Sequence, residues 1–211
     1  MQKERRIIFS AQEVRALLAG RKTQKRSVIT PQPFNGRTDD DIRALLIKRG
    51  ALGVDESLAA LVNGAMNAGF VDVACPYGRA GDRLWVGEEW AHDASSIEQC
   101  RSAYEDAMGG IVYGPYYRAT DGAPDTLRWI PSIHMPRWAS RINLGITSVR
   151  VERLQDISRG DCMAEGCPFP NMAESDQKQW YADSWNSTHK ADTWDKNPWV
   201  WVVEFKRVTQ P

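Results

Sequence analysis

The sequence predicts an α+β domain: a small, mostly antiparallel β-barrel or sheet of about six strands, with helices at its rim. Short runs rich in β-type residues recur along the 211-residue chain between turn signals such as Asp121-Gly122. Apolar runs with helical spacing stand between them. The last run, residues 199–208, is apolar on both faces of its first half, which is typical of a strand buried on both sides.

The first elements follow from local signals. A helix is predicted from Ser10, because Ser10 and Glu13 form a capping box in which each side chain satisfies a free backbone donor of the other residue. Gly20 ends this helix. Strand-like runs flank it at 5–9 and 24–29.

Residues 31–72 are predicted to be a helical insertion, or a mobile flap, within a single domain spanning 1–211. Turn signals open this segment, and two short helices are expected at about 39–49 and 55–67.

The rest of the chain alternates between the two types of element. We assign Trp85 to the core and place Glu88 at a solvated strand end, although its carboxylate is also a candidate site group. Strands are expected at 84–86, 111–118, 127–130, 139–153 and 199–208, and helices at 95–107, 158–166 and 173–190.

Composition excludes several classes of protein. Hydrophobic residues make up 42% and charged residues 26%, which argues against wholesale disorder. No apolar run approaches the roughly 20 residues that span a bilayer, and the first residues do not lead into a signal-peptide core, so we expect a cytoplasmic protein. The four cysteines are expected to be reduced thiols. No spacing of cysteine and histidine predicts a metal site, and no cofactor is expected.

The charge is balanced overall but unevenly placed. Lys+Arg and Asp+Glu are both 27, which argues against a general polyanion binder. Residues 1–30 carry eight basic and two acidic residues, a net +6, and residues 127–159 carry six and two, a net +4. These two segments can converge on one phosphate-binding face, or they can be scattered solvated charge.

Lys22 is the first candidate for chemistry. It follows a predicted helix end and is flanked by the cations Arg21, Lys25 and Arg26. Neighbouring cations and partial burial both lower the pKa of a lysine, and a lysine that can lose its proton can act as a base. A tight basic loop also binds phosphate, and the alternative is a solvated turn.

The stretch 132–141 is the second candidate. Arg137 and Arg141 can bind phosphate, His134 can exchange a proton near neutral pH, and Trp138 can stack on a base. The alternative is structural: Trp138 packs and the two arginines pair with acids.

Five segments in order resemble the ASCH domain, a PUA-like small β-barrel, in the form encoded by tailed phages and prophages. They are Gly20-Arg21-Lys22-Thr23 with the preceding helix, Gly81–Val86, Ser132–Arg141, Leu154–Ile157 with Ala164–Gly166, and Asn197–Phe205. The resemblance implies a cleft on the barrel and kinship with RNA-binding modules. Small members hydrolyse the acetyl amide of N4-acetylcytidine, and another branch has ribonuclease activity.

The resemblance also implies site residues. It places the family's lysine at Lys22 and its glutamate at Glu165, as the base and acid of amide hydrolysis. The family's threonine is replaced by Lys25, and its terminal arginine by Ser27. Thr23, Ser27 or a water activated by Glu165 would then supply the nucleophile, or the site binds without reacting.

Three functions are therefore expected from the sequence. The first is binding of RNA, other single-stranded nucleic acid or a modified cytidine nucleoside in a basic cleft, in the host cytoplasm if the protein is phage-encoded. The second is an amidohydrolase of N4-acetylcytidine type, or less favourably a ribonuclease. The third is a phage morphogenesis or protein-interaction role, with residues 31–72 as the docking surface.

Overall fold

The structure is a computed structural model that describes residues 3–50, 56–71, 73–93, 96–105, 115–121, 127–189 and 193–209. Its strands are β1 (Glu4–Ile8), β2 (Gln24–Val28), β3 (Arg83–Gly87), β4 (Trp90–Ala91), β5 (Tyr116–Tyr117), β6 (Asn143–Arg153) and β7 (Trp199–Val208). Its helices are α1 (Ala11–Leu18), α2 (Asp39–Lys48), α3 (Leu58–Asn67), α4 (Ile97–Glu105), α5 (Arg159–Ala164) and α6 (Glu174–Thr188).

Five of the strands form one mixed sheet in the order β1-β3-β6-β7-β2. β1 and β3 are parallel, and the other neighbouring pairs are antiparallel. β4 and β5 form a separate two-stranded ladder. The α+β class is confirmed. Among the described residues no ladder joins the edge strands β1 and β2, so the architecture is a five-stranded sheet with two edges.

β7 separates two hydrophobic cores. Trp199, Trp201, Val203 and Phe205 belong to the larger core, and Val200 and Val202 to a smaller one under α5 and α6. The predicted burial of both faces of this strand is confirmed, and it follows from the period-2 alternation of side chains along a strand.

The capping signals are also confirmed. Ser10 caps α1 and Ser158 caps α5, each in a full capping box. The two helices of the 31–72 segment form as α2 and α3. Asn63 of α3 attaches this segment to the sheet. Its Nδ2 donates to the Val151 carbonyl and its Oδ1 accepts from the Val151 N–H, both at 2.8 Å.

Two assignments near β3 are wrong. Trp85 is only half-buried, because its ring is on the sheet face covered by the guanidinium groups of Arg6 and Arg137. Glu88 is 1% exposed rather than solvated, because Arg141 neutralises it through two hydrogen bonds.

The remaining differences concern strand lengths. Residues 106–114 and 122–126 lie outside the described residues, so the predicted strand 111–118 is seen only at β5. In the predicted strand 127–130 only Ile130 pairs, in an isolated bridge with Trp90. The strand expected from 139 begins at Asn143, because a short 3-10 turn at 137–139 precedes it. No helix among the described residues is long and apolar enough to cross a membrane.

Candidate functional site

Lys22 and Glu165 form a buried ion pair. Lys22 follows the Gly20 turn at the end of α1, and Glu165 caps the C-terminus of α5. The two residues form an isolated backbone bridge. The Lys22 Nζ donates to Glu165 Oε2 at 2.7 Å and to the Glu165 carbonyl at 3.0 Å. Their side chains are 2% and 4% exposed, so water screens this pair weakly.

Gly166 permits this close approach. Its φ of +102° is a left-handed conformation that favours glycine. A Cβ at this position would lie 3.0 Å from the Ala16 Cβ and 3.4 Å from the Lys22 Cβ. The glycine after Glu165 therefore lets α5 end directly against the Lys22 turn.

Arg26 lies on the other side of Glu165. Its Nη1 is 3.5 Å from Glu165 Oε1, and its Nη2 is 2.8 Å from Glu152 and 3.3 Å from Asp161. Burial opposes the charged form of the guanidinium, but the surrounding carboxylates, Glu165 first, raise the pKa of Arg26. Glu165 is thus held between two cations, Lys22 from the turn before β2 and Arg26 from β2 itself.

Lys25 pairs with a carboxylate from α1. Its Nζ is 2.9 Å from Glu13 Oε1, donates to the Ile8 carbonyl at 3.0 Å and lies 4.7 Å from the centre of the Phe9 ring. Burial lowers the pKa of Lys25. Burial also acts to raise the pKa of Glu13, but Lys25 and Lys22 outweigh it and lower that pKa to about 2.

These groups line a cavity of about 660 Å³. Both edge strands of the sheet contribute to it, together with α1, the end of α5 and one face of α6. Four cations (Arg6, Lys22, Lys25, Arg26) and two carboxylates (Glu13, Glu165) face it. The rings of Phe9, Trp180, Tyr181 and Trp185 supply apolar walls. Such a volume is typical of a small-molecule site.

Two predicted residues lie beside the cavity without lining it. The exposed Arg21 donates to the Gly166 carbonyl at 2.9 Å, which supports the turn. Thr23 is exposed. Its backbone N–H donates to the Ala164 carbonyl, and its carbonyl accepts from the N–H of Phe205 in β7. Ser27, the other hydroxyl that the sequence suggested as nucleophile, does line the cavity.

The structure does not bring the 132–141 candidates to this cavity. Arg137 binds Glu4 at 2.8 Å, and Arg141 binds Glu88 and stacks 3.9 Å from the centre of the Tyr117 ring. Trp138 meets Trp90 edge-on with centroids 6.0 Å apart, and His134 is exposed. Among the residues of this segment, Ser132 lines the cavity.

Sequence reasoning missed Glu13 as a site carboxylate and α6 as a wall. Glu13 was assigned only its capping role. On α6 the residues Gln177, Tyr181 and Trp185 are spaced by four and are all buried, and His189 continues that row, stacked 3.7 Å from the Trp185 ring. This spacing was a usable signal of one covered helix face.

The fold and the site together define an α+β domain with an ionic, aromatic-walled cavity between the two edges of its sheet. Among the described residues no group of three metal-ligating side chains occurs. Comparison of the chain with known protein families, with curated proteins and with solved structures finds no match in any of the three.

Proposed function

We propose that this protein binds a modified nucleoside in the cavity that contains Lys22 and Glu165. The observation that carries the proposal is the 2.7 Å ion pair between these two residues, inside a cavity of about 660 Å³. Buried charges are costly to maintain without a partner, and a titratable pair in a cleft is a typical mark of a functional site.

The walls suit a nucleoside. Aromatic rings supply flat apolar surfaces on which a base can stack, and excess cations suit electron-rich oxygen atoms. The resemblance to the ASCH family, which rests on five segments of the sequence and implies roles for Lys22 and Glu165, supports this choice of ligand class.

A long nucleic-acid strand is less well supported. The two arginines expected to bind its phosphates, Arg137 and Arg141, are occupied by Glu4 and Glu88. The net charge of zero also provides no general attraction for a polyanion.

The experiment is isothermal titration of N4-acetylcytidine, cytidine and a single-stranded RNA oligonucleotide into the wild-type protein and two variants. Lys22→Met removes the cavity ammonium, and Lys48→Met makes the same change at an exposed position on α2. We expect nucleoside binding in the wild type and in Lys48→Met, and at least tenfold weaker binding in Lys22→Met.

Equal nucleoside binding by Lys22→Met and wild type would show that the site is elsewhere. Binding of the oligonucleotide alone, weakened by Arg137→Ala, would favour an RNA interface over residues 132–141 instead.

Amide hydrolysis is the second candidate, favoured by the direct contact between an ammonium and a carboxylate. Glu165 would take a proton from an attacking water as the C–O bond forms, and Lys22 would deliver a proton to the leaving amine as the C–N bond breaks. Acetate and cytidine would then be the products of N4-acetylcytidine. Chromatography tests this: we expect cytidine to accumulate with the wild type and not with Glu165→Gln, and the absence of product with the wild type excludes the activity.

A further inference from the structure

His189 is a titratable side chain of the cavity wall to which the proposed function gives no role. It follows the last residue of α6, is half-buried and lines the cavity. One face of its ring stacks on the indole of Trp185, with centroids 3.7 Å apart and an angle of 6° between the planes. The stacking covers that face, so the edge of the imidazole, where its nitrogens lie, is the part that can make a directed contact with a ligand.

The contacts of Nδ1 determine which ring nitrogen carries the proton. Nδ1 lies 3.1 Å from the Trp185 carbonyl and 3.0 Å from Thr188 Oγ1. A carbonyl oxygen can only accept, so Nδ1 must donate to it. The Thr188 hydroxyl has acceptors of its own in the carbonyls of Ser184 and Trp185, at 3.3 and 3.1 Å. In the neutral ring the proton is therefore on Nδ1, and Nε2 has a lone pair.

Nε2 is both accessible and without a partner. It makes no hydrogen bond within the part of the chain that the structure describes, yet it is not among the buried side-chain atoms that lack a partner there. Nε2 therefore has accessible surface that a ligand can reach. The cavity carboxylates differ in this respect, since Glu13 and Glu165 are each bound by a lysine ammonium. Nε2 is thus an uncharged acceptor that the protein leaves available.

The surroundings keep the imidazole neutral at neutral pH. Burial, the largest cause, and the Lys25 ammonium lower the pKa of His189, while the bond to the Trp185 carbonyl and the Glu13 carboxylate raise it. The net shift is downward from 6.5. The charged groups that act on the ring are thus Lys25 on β2 and Glu13 on α1. Glu13, with a pKa of about 2, stays ionised at every pH above 4.

We propose that Nε2 of His189 accepts a hydrogen bond from an N–H or O–H group of the ligand, which therefore binds only while the imidazole is neutral. The proposal rests on the proposed function and adds a specificity contact and a pH dependence to it. A protonated ring presents an N–H at Nε2, so two donors would face each other and neither would have an acceptor. Affinity should be constant above pH 6.5 and fall at lower pH, as His189 takes up its proton.

The first experiment tests the tautomer without any ligand. Long-range ¹H–¹⁵N NMR spectra distinguish a protonated ring nitrogen from an unprotonated one. The chain has three histidines, and His189→Phe identifies the signals of His189 by their loss. We expect the wild type at pH 7.5 to show His189 protonated at Nδ1 and unprotonated at Nε2. The opposite tautomer would overturn the proposal, because Nε2 would then have no lone pair.

The second experiment is isothermal titration of N4-acetylcytidine between pH 4.5 and 7.5 into the wild type and three variants. His189→Phe keeps a flat ring against Trp185 and removes both nitrogens. His189→Gln supplies an amide oxygen, an acceptor that does not titrate. His134→Phe is the matched control, because His134 is exposed and does not line the cavity.

We expect the affinity of the wild type and of His134→Phe to fall below pH 6.5, by up to about tenfold per pH unit. His189→Phe should bind about tenfold more weakly than the wild type at pH 7.5, because one hydrogen bond is lost and the ligand donor is left unpaired. Its weaker affinity should not change with pH. His189→Gln should stay within about threefold of the wild type at pH 7.5 and keep that affinity at pH 4.5.

The outcomes separate the two proposals. If the wild type binds the nucleoside with the same affinity at every pH, or if His189→Phe binds like the wild type, the role of His189 is wrong and the nucleoside site stands. If His189→Gln loses affinity at low pH as the wild type does, another group titrates and the role of His189 is again wrong. If the wild type binds no N4-acetylcytidine at any pH, both proposals fall.

Discussion

The ammonium of Lys22 lies 2.7 Å from a carboxylate oxygen of Glu165, although 143 residues separate the two in the chain. The contact depends on how α1 and α5 end. Gly20 turns the chain after α1, and Gly166 turns it after α5, both at positive φ. The turns that follow the two helices therefore lie against each other beside the edge strand β2. Each turn carries one charged side chain that lines the same cavity.

The first prediction concerns the stability that this pair provides. Lys22→Met leaves the buried Glu165 with Arg26 as its remaining cation, and Glu165→Gln leaves Lys22 with Glu13 at 3.6 Å. We expect each change to lower the free energy of unfolding by about 3 kcal/mol, because removal of one partner leaves a buried charge undercompensated. Urea denaturation measures this quantity.

The double variant provides the decisive comparison. Lys22→Met combined with Glu165→Gln removes both charges, so its cost should be smaller than the sum of the single changes by about 1–3 kcal/mol. Lys48→Met should stay within about 0.5 kcal/mol of the wild type. Additive single effects would mean that the two side chains do not interact energetically.

The second prediction concerns Glu13 and acid stability. Its pKa is lowered from 4.5 to about 2 in the folded protein, so the folded state binds fewer protons than the unfolded state between these values. The stabilisation is present above about pH 4.5 and is lost as the pH falls towards 2. The shift corresponds to roughly 3 kcal/mol.

Glu13→Gln isolates this effect, because glutamine also fits the third position of a capping box. We expect the variant to be less stable than the wild type at pH 7, with a difference that narrows as the pH falls from 5 to 2. Urea denaturation at several pH values measures it. A constant difference over this range would mean that the Glu13 charge does not act through Lys25 and Lys22.

Much of the fold could be predicted because its signals are local. The capping box of Ser10 and Glu13 defines the start of α1 within four residues of sequence. The alternation along β7 requires only the period of a strand to place Trp201 and Val202 on opposite faces.

The two errors near β3 arise from contacts distant in sequence. Leu84 and Val86 are buried on one face, so the period of two already puts Trp85 on the other. What covers that face is an arginine from β1 and another from the 137–139 turn, and their position depends on the strand order. Glu88 is buried for a similar reason, since its partner Arg141 is 53 residues away.

Part of the candidate site was predicted from the sequence, and its two central residues were predicted on different grounds. Residue chemistry pointed to Lys22, whereas Glu165 came from the family resemblance and not from any spacing. The spacing of Tyr181 and Trp185 was a signal of one covered helix face that the sequence analysis did not use. It could not indicate that the face borders a cavity, because that depends on how α6 docks against β2.

The third prediction concerns Gly166. Alanine there would have to adopt a left-handed conformation and would approach Ala16 to 3.0 Å. We expect Gly166→Ala to lower the free energy of unfolding by about 1–3 kcal/mol and to weaken ligand binding by displacing the Lys22 turn. Thermal denaturation and titration measure the two effects.

Gly160→Ala is the matched control at the other end of the same helix, α5. Gly160 is in α5, and a Cβ there would lie 3.7 Å from Ser158 Oγ, an ordinary contact. Alanine is favoured over glycine inside a helix by about 1 kcal/mol. This variant should be as stable as the wild type or more so. If both glycine variants behaved alike, the backbone at Gly166 would not be constrained.

The fourth prediction contrasts Arg137 and Arg141, the two arginines first expected at a nucleic-acid surface. Arg137 pairs with Glu4 where both side chains are more than a third exposed, whereas Arg141 neutralises a Glu88 side chain that is 1% exposed. Exposed pairs contribute at most about 1 kcal/mol, while a buried carboxylate without its partner costs about 3 kcal/mol. Arg137→Ala should therefore have little effect on the urea midpoint, and Arg141→Ala should lower it markedly.

Since neither side chain lines the cavity, both variants should bind nucleosides with wild-type affinity wherever they are folded. A loss of nucleoside affinity in folded Arg137→Ala would place the ligand on the 132–141 segment rather than beside Lys22.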